Sequence, residues 1–220
     1  MAYTVTEAAR YAGTSPATVR RWIEGYENRD RHMEPVFAEK ARAVDEPLRL
    51  SFLDLAEIVV VATFTRHGGR LNKMRQARRH VLSEHPDLDY PFANLRLKQL
   101  GGEVLHIIDN EMGGKAIAIS LGGAEGEQHS LPGYAEDALD LFDADPFGLA
   151  ERWYPYGRDI DVVLDPRFGG GRLTIAGTAI RSETITTRFF EYGETLDYIA
   201  NDLGVERATT EALVRLARPV

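Results

Sequence analysis

The sequence predicts an α+β protein with helices at both ends and short strands between them. Residues 3–25 and 51–83 show the spacing of capped amphipathic helices. From residue 91 the pattern changes to short apolar runs separated by glycine pairs, which is typical of antiparallel strands. After residue 181 the helical spacing returns in three segments. The predicted domains cover residues 1–85, 86–158 and 159–220.

Residues 3–25 predict two short helices joined by a tight turn. Thr4 and Glu7 have the capping-box spacing, Gly13 ends the first helix, and Ser15 caps the second. The core face of the second helix is predicted to hold Val19, Trp22 and Ile23. The opposite side carries Thr18, Arg20 and Arg21. This arrangement is typical of a helix-turn-helix, although an ordinary αα-hairpin with solvated arginines has the same spacing.

The stretch after Gly25 predicts a basic wing followed by a helix pair. We expect residues 34–37 and 48–50 to form the strands of a wing whose basic side chains contact DNA phosphates. The alternative is a solvated loop. Ser51 caps a helix that runs to Thr65. A second helix, Asn72–Ser83, is basic on the faces that do not carry Met74, Ala77 and Val81, so it either contacts phosphates or is simply solvated.

Two motifs resemble the opening of a MerR-type winged-helix regulator: Tyr3-Thr4-Val5-x-Glu7-Ala8-Ala9 and Ser15-Pro16-x-Thr18-Val19-Arg20-Arg21-Trp22. The helix pair after residue 51, with its double glycine and Leu-x-x-Met-Arg start, resembles the second helix pair of such domains. The resemblance covers about residues 3–82 and implies that the second helix enters the major groove of double-stranded DNA. The DNA contacts that follow from this interpretation are Ser15, Thr18, Arg20, Arg21, Arg29, Arg31, Lys73, Arg75 and Arg79.

The composition is that of a globular protein with an uneven distribution of charge. The chain has 220 residues, 44% of them hydrophobic, and no cysteine, which excludes disulfides and fits a reducing cytoplasm. We expect a cytoplasmic protein without a membrane segment, because the most apolar run, Phe52 to Phe64, is short and contains two carboxylates. Residues 1–85 carry a net charge of +3 and residues 86–220 one of −11. The basic end suits DNA, and the acidic end suits a basic protein partner.

The middle of the chain predicts a small antiparallel meander. Strand-like runs cover residues 95–98, 104–108 and 116–119. Such a sheet buries little surface by itself, so it should pack on a neighbouring element or on a second subunit. Tyr134 to Asp145 predicts a short acidic helix, and Ala150 to Pro155 a second turn or helix.

Residues 159–220 predict two strands followed by three helices. The strands are expected over 160–164 and 173–176. The helices are expected over 182–192, 195–203 and 207–217, with Ser182 and Thr195 as caps. Their common core is predicted to contain Ile185, Phe189, Leu196, Ile199, Leu203, Ala212, Leu213 and Leu216.

Three motifs of this last part resemble a bacterial domain family of unknown function that is widespread as the antitoxin partner of nucleases: Asp165-Pro166-x-Phe168-Gly169, Leu173-Thr174-Ile175-x-Gly177-Thr178-x-Ile180 and Gly193-Glu194-Thr195. Ala179 departs from the arginine usual in that family. Together with the MerR-like front, the chain resembles the larger Vap-type antitoxins of actinobacteria. The resemblance implies a homodimeric type II antitoxin that represses its own promoter and neutralises a PIN-like ribonuclease toxin, with no cofactor, metal or catalysis of its own.

The sequence leaves two other interpretations open. One is a MerR-like regulator that responds to a small ligand and has no toxin. The other is a metal-dependent nuclease, since clustered carboxylates can hold Mg²⁺, although acidic surfaces are usually only solvated. The candidate ligands are Asp137, Asp140, Asp143, Asp145, Asp159, Asp161 and Asp165, with His85, Asp87 and Asp89 as a weaker set. The glycines at 169–171 lead into a strand, so they do not fit a phosphate-binding loop.

Overall fold

A computed structural model describes residues 2–28, 31–37, 48–84, 86, 89–94 and 139–217. Within these ranges the protein is a mixed α+β structure with seven α-helices and two small sheets. It divides into two compact units, one holding residues 2–140 and 144–150 and the other holding 141–143 and the residues from 151 onward. Among the helices described, none is long and apolar enough to cross a bilayer. The division into domains 1–85, 86–158 and 159–220 stays a prediction.

The first two helices form the predicted helix-turn-helix. Helix α1 (Val5–Tyr11) begins at a capping box, in which Thr4 and Glu7 each accept the other's backbone N–H. Gly13 then adopts a φ of 63°, a left-handed conformation that glycine enters without steric cost. Helix α2 (Pro16–Glu24) begins at Ser15, whose hydroxyl accepts the Thr18 N–H. These local predictions are confirmed, as is the burial of the apolar face of α2: Val19, Trp22 and Ile23.

The hairpin that follows α2 lies earlier in the chain than predicted. Strands β1 (Tyr26–Asn28) and β2 (Arg31–Met33) pair in antiparallel register. The segments expected as wing strands, 34–37 and 48–50, have another role. The Val36 and Phe37 amides both donate to the Trp22 carbonyl, and Leu50 pairs with Tyr3. Their apolar side chains are buried, so core packing outweighs their exposed placement on a wing.

Two longer helices complete the described core of the N-terminal unit. Helix α3 (Phe52–Arg66) begins at a second capping box, formed by Ser51 and Asp54. Helix α4 (Leu71–Glu84) buries Met74, Ala77 and Val81, as its spacing predicts. A short 3₁₀ turn over Pro91–Ala93 packs on α3 and α4.

A four-stranded sheet replaces two predicted helices. Its strands are β3 (Phe142–Ala144), β4 (Ala150–Trp153), β5 (Val162–Leu164) and β6 (Leu173–Ile175), in that order, with antiparallel pairing from β4 to β6. Of the helix predicted over 134–145, residues 139–140 are helical and residues 142–144 form a strand, so its end is wrong; the prediction of a turn or helix is also wrong for residues 150–153. The Asp145 carboxylate accepts the N–H groups of Phe147 and Leu149, which stabilises a tight turn. The Phe142 and Trp153 rings stack with centroids 5.9 Å apart.

Three helices end the described chain, close to the predicted positions. They are α5 (Ser182–Phe190), α6 (Leu196–Leu203) and α7 (Arg207–Leu216). Thr195 caps α6 as predicted, whereas Ser182 lies inside α5 and Arg181 precedes it without a side-chain cap. Leu216 is exposed and does not join the core, which is built around β5, β6 and the helices: Val162, Ile175, Ile185, Ile199, Val205, Leu213 and Val214.

Several predictions fall outside the described residues. These are the meander strands over 95–98, 104–108 and 116–119, and the first part of the helix expected from residue 134. Arg29, His85, Asp87 and Asp137 also lie outside the described ranges.

Candidate nucleic-acid interface

Two adjacent arginines project from the second helix of the helix-turn-helix. Arg20 and Arg21 are both exposed, while the opposite face of α2 is buried in the core. The side chain of Arg20 is 58% exposed, and its contact to Glu24 is a long one of 3.8 Å. The Arg21 guanidinium lies 5.3 Å from the centre of the Tyr26 ring. Such exposed pairs contribute little to stability, so both guanidinium groups are available to an external anion.

The first turn of α2 is stabilised by hydroxyl groups. Ser15 Oγ accepts the Thr18 N–H at 3.1 Å and lies 2.8 Å from Thr18 Oγ1. Ser15 is exposed and Thr18 is half-buried. The cap fixes where α2 begins, and it leaves each hydroxyl with further hydrogen-bonding capacity.

The hairpin adds one described cation beside α2. Arg31 is exposed and stands opposite Asn28 in the register of β1 and β2. On the neighbouring pair, His32 Nδ1 lies 2.7 Å from a Glu27 carboxylate oxygen. Tyr26 of β1 contacts Arg21, so the start of the hairpin lies beside α2, and Arg31 stands at the other end of the strand pair.

Helix α4 does not present its cations as predicted. Lys73 and Arg75 are only 8% and 5% exposed, and Arg79 is the member of the predicted set that lies at the surface. Burial lowers the pKa of Arg75, and nearby Tyr26 and Glu34 only partly offset this. Among the described residues, Nε and Nη2 of Arg75 have no hydrogen-bond partner. The expectation of a solvent-facing position is wrong for Lys73 and Arg75, because α4 is buried on more than its apolar stripe.

The same unit contains a buried ion pair that the sequence did not predict. Glu57 of α3 and Arg78 of α4 are both almost fully buried, and Arg78 Nη2 donates to Glu57 Oε2 at 3.3 Å. Glu57 Oε1 accepts the Phe92 N–H at 3.0 Å, and the Arg78 guanidinium lies over the Phe37 and Phe92 rings. The available signal was a glutamate inside the most apolar run of the chain, since a buried carboxylate requires a partner.

The carboxylates of the C-terminal sheet are engaged by arginines. Asp165 is fully buried and accepts from Arg152 Nε and Arg167 Nη2 at 3.2 and 2.7 Å. Burial alone would raise the pKa of Asp165, but the hydrogen bonds from Arg167 and Arg152 outweigh it and hold the pKa below its ordinary value. Asp143 accepts from Arg152, Arg158 and Tyr154. This is a structural network, and no cluster of three metal-ligating side chains occurs in the described ranges.

The helix-turn-helix region matches a known domain family. Residues 1–78 match the profile of a family described as "Putative DNA-binding HTH domain". The match contains α1, α2, the hairpin and α3, and it reaches into α4. The N-terminal unit therefore contains a helix-turn-helix domain of the type found in DNA-binding proteins.

Two matches from Mycobacterium tuberculosis, one of sequence and one of structure, cover nearly the whole chain. A protein named "Putative antitoxin VapB45", from strain ATCC 25618 / H37Rv, is 28% identical over 222 residues, which span 92% of this chain and 88% of that protein. The X-ray crystal structure of Rv2018 superimposes with a TM-score of 0.75 at 24% identity and covers 96% of both chains. The second likeness shows that the two proteins share a fold.

Proposed function

We propose that this protein is a DNA-binding antitoxin that represses its own promoter and neutralises a partner nuclease. The observation that carries the DNA-binding half is the exposed Arg20–Arg21 pair on α2, within residues that match a DNA-binding helix-turn-helix profile. The antitoxin half rests on the relative named as an antitoxin, which aligns with 92% of the chain. In this proposal the protein is a non-enzymatic regulator.

The proposed mode of DNA binding follows from the geometry of α2. Its N-terminal turn and its two arginines enter the major groove, where guanidinium groups read guanine edges or contact phosphates. Arg31 contacts the DNA phosphate backbone beside the groove, and the sequence predicts the same contact for Arg29. A homodimer reads two half-sites, since helix-turn-helix proteins gain affinity and specificity from a two-fold arrangement. The neutralised partner is a PIN-like ribonuclease encoded beside this protein.

Replacing both arginines of α2 is expected to abolish promoter binding. Arg20→Ala with Arg21→Ala should weaken retardation of the upstream DNA about 100-fold or more, because each lost contact costs about 1–3 kcal/mol. Gel retardation at a fixed salt concentration measures the effect, and circular dichroism checks the fold. The matched control is Arg207→Ala with Arg215→Ala on α7, which removes two other exposed helical arginines. Unchanged retardation by the α2 variant would contradict the proposed interface.

Replacing Arg75 and replacing Arg79 of α4 are expected to have sharply different effects on DNA binding. Arg79→Ala should weaken DNA binding uniformly across sequences and lower the salt slope by about 1, as the loss of one phosphate contact does. Arg75→Met should leave DNA binding intact, because Arg75 is buried and two of its nitrogens lack partners within the described ranges. Retardation at several salt concentrations measures both. If the folded Arg75→Met variant loses more DNA affinity than Arg79→Ala, Arg75 contacts DNA and this prediction is wrong.

A further inference from the structure

The last two helices repeat the layout of a helix-turn-helix. Helices α6 and α7 are separated by three residues, and Gly204 at the end of α6 adopts a left-handed φ of 65°. A glycine turn of this length between two short helices is the hallmark of the motif. The layout alone therefore leaves open whether this part of the chain binds DNA or protein.

The charges of this helical part argue against DNA. Residues 181–217 contain four arginines and seven carboxylates. Three of the arginines are held by carboxylates of the same unit. Arg188 contacts Glu194 and Asp202 at 2.6 Å each, Arg207 contacts Asp197 and Glu211 at 2.7 and 2.9 Å, and Arg215 contacts Glu211 at 3.0 Å. Phosphates would meet net negative charge and cations that already have partners, in contrast to α2.

The same part of the chain exposes aromatic rings among its carboxylates. Residues 189–206 contain five carboxylates and no cation. Tyr192 and Tyr198 are 69% and 57% exposed. The group that we name the acidic aromatic surface is centred on Arg188 and consists of Glu191, Tyr192, Glu194, Tyr198 and Asp202.

Contacts to Arg188 hold this surface together. Arg188 binds Glu194 and Asp202, and its guanidinium lies 5.6 Å from the centre of the Tyr198 ring. Glu191 is the C-cap of α5, three residues after Arg188, and Tyr192 follows it in the turn that leads to Glu194. The Tyr198 ring therefore already accepts one cation, and most of its surface remains accessible to another.

We propose that the acidic aromatic surface docks an arginine-rich surface of a partner protein, and that this is where the nuclease partner binds. The proposal rests on the proposed function and assigns its partner site. Exposed tyrosines are enriched at the energetic centres of interfaces. Glu194 and Asp202 already bind Arg188, so Glu191 is the carboxylate of this surface that an external arginine would pair with first. A nuclease carries such cations to bind its RNA. A second copy of this chain presents the same negative charge, so self-association through this surface is disfavoured.

The test uses the full chain and the purified product of the adjacent reading frame. Glu191→Lys with Tyr192→Ala reverses one charge and removes one exposed ring. Within the described residues neither side chain makes an ion pair. The control, Asp159→Lys with Phe168→Ala, makes the same kinds of change at exposed positions on the turns beside β5. We expect at least about tenfold weaker binding by calorimetry for the first variant, a smaller salt dependence, and unchanged binding for the control.

Three results would overturn the proposal in different ways. If the wild-type chain binds the neighbour and the surface variant binds equally well, the docking site is elsewhere and the antitoxin function stands. If the wild-type chain does not bind the neighbour at all, the toxin-neutralising function fails and the docking site fails with it. If the surface variant still binds the neighbouring gene's product but no longer binds promoter DNA, helices α5 to α7 belong to a DNA-binding domain and the proposed docking site is wrong.

Discussion

Asp165→Asn is expected to lower the free energy of unfolding of the C-terminal unit by about 3 kcal/mol. Asp165 is fully buried, and it accepts hydrogen bonds from the Arg152 and Arg167 side chains and from the Arg167 N–H. An amide is neutral and cannot accept from both guanidinium groups in the same way. Thermal unfolding of the full chain and hydrogen exchange of the β5 amides measure the loss.

The same carboxylate makes the stability of this unit depend on pH. Its pKa is lowered in the folded state, so its contribution is complete above the pKa of an unfolded aspartate, about 3.9, and is lost as the pH falls through the lower folded value. Asp165→Asn should therefore flatten the acid limb of the stability profile. Glu151→Gln is the matched control, because Glu151 pairs with Arg167 at the surface. Its loss should lower the free energy of unfolding by at most about 1 kcal/mol. Equal losses in both variants would show that the burial of Asp165 has no special importance.

Glu57→Met is expected to destabilise the helix-turn-helix unit by about 4 kcal/mol. The variant removes the carboxylate that accepts from Arg78 and from the Phe92 N–H, deep between α3 and α4. Leaving the buried Arg78 guanidinium without its carboxylate lowers the free energy of unfolding by more than the intact ion pair contributed to it. Promoter binding should fall at physiological temperature, because less of the unit is folded. Thermal unfolding, with retardation measured at low and high temperature, checks both effects.

The double variant Glu57→Met with Arg78→Met separates charge from packing. Two methionines fill a similar volume and need no partner, so the double variant should regain part of the lost stability. The Phe92 N–H still loses its acceptor, which leaves a deficit of about 1–3 kcal/mol. DNA binding should recover with the stability, since neither residue is part of the proposed interface. A double variant as unstable as Glu57→Met alone would mean that the other contacts of Arg78, over Phe37 and Phe92, dominate.

The parts of the fold that were predictable are those specified by neighbouring residues. The caps at Thr4, Ser15 and Ser51, the turn at Gly13 and the apolar face of α2 depend on contacts within about four residues, and each is confirmed. The exposed arginines of α2 were found for the same reason. Since a capped amphipathic helix fixes which side faces the core, it also fixes which side faces a ligand.

The parts that were missed depend on distant contacts. Strand β4 was mistaken for a turn or helix because the stacking of Trp153 on Phe142 across the hairpin has no signature in either segment alone. The burial of Arg75 depends on what packs around α4, and helical spacing only identifies its apolar stripe. Leu216 fits the helical core pattern but is exposed at the last residue of α7. In each case tertiary packing overrides the local pattern.

The two capping boxes have a consequence for the order of events during synthesis. Thr4 with Glu7 and Ser51 with Asp54 supply the hydrogen bonds of a helix start within four residues, and starting a helix is its costly step. Helices α1 and α3 therefore carry their own start signals when they leave the ribosome, and packing of their apolar faces then stabilises them. In a chain with the proposed function, the segment proposed to recognise the operator leaves the ribosome ahead of the segment proposed to bind the toxin.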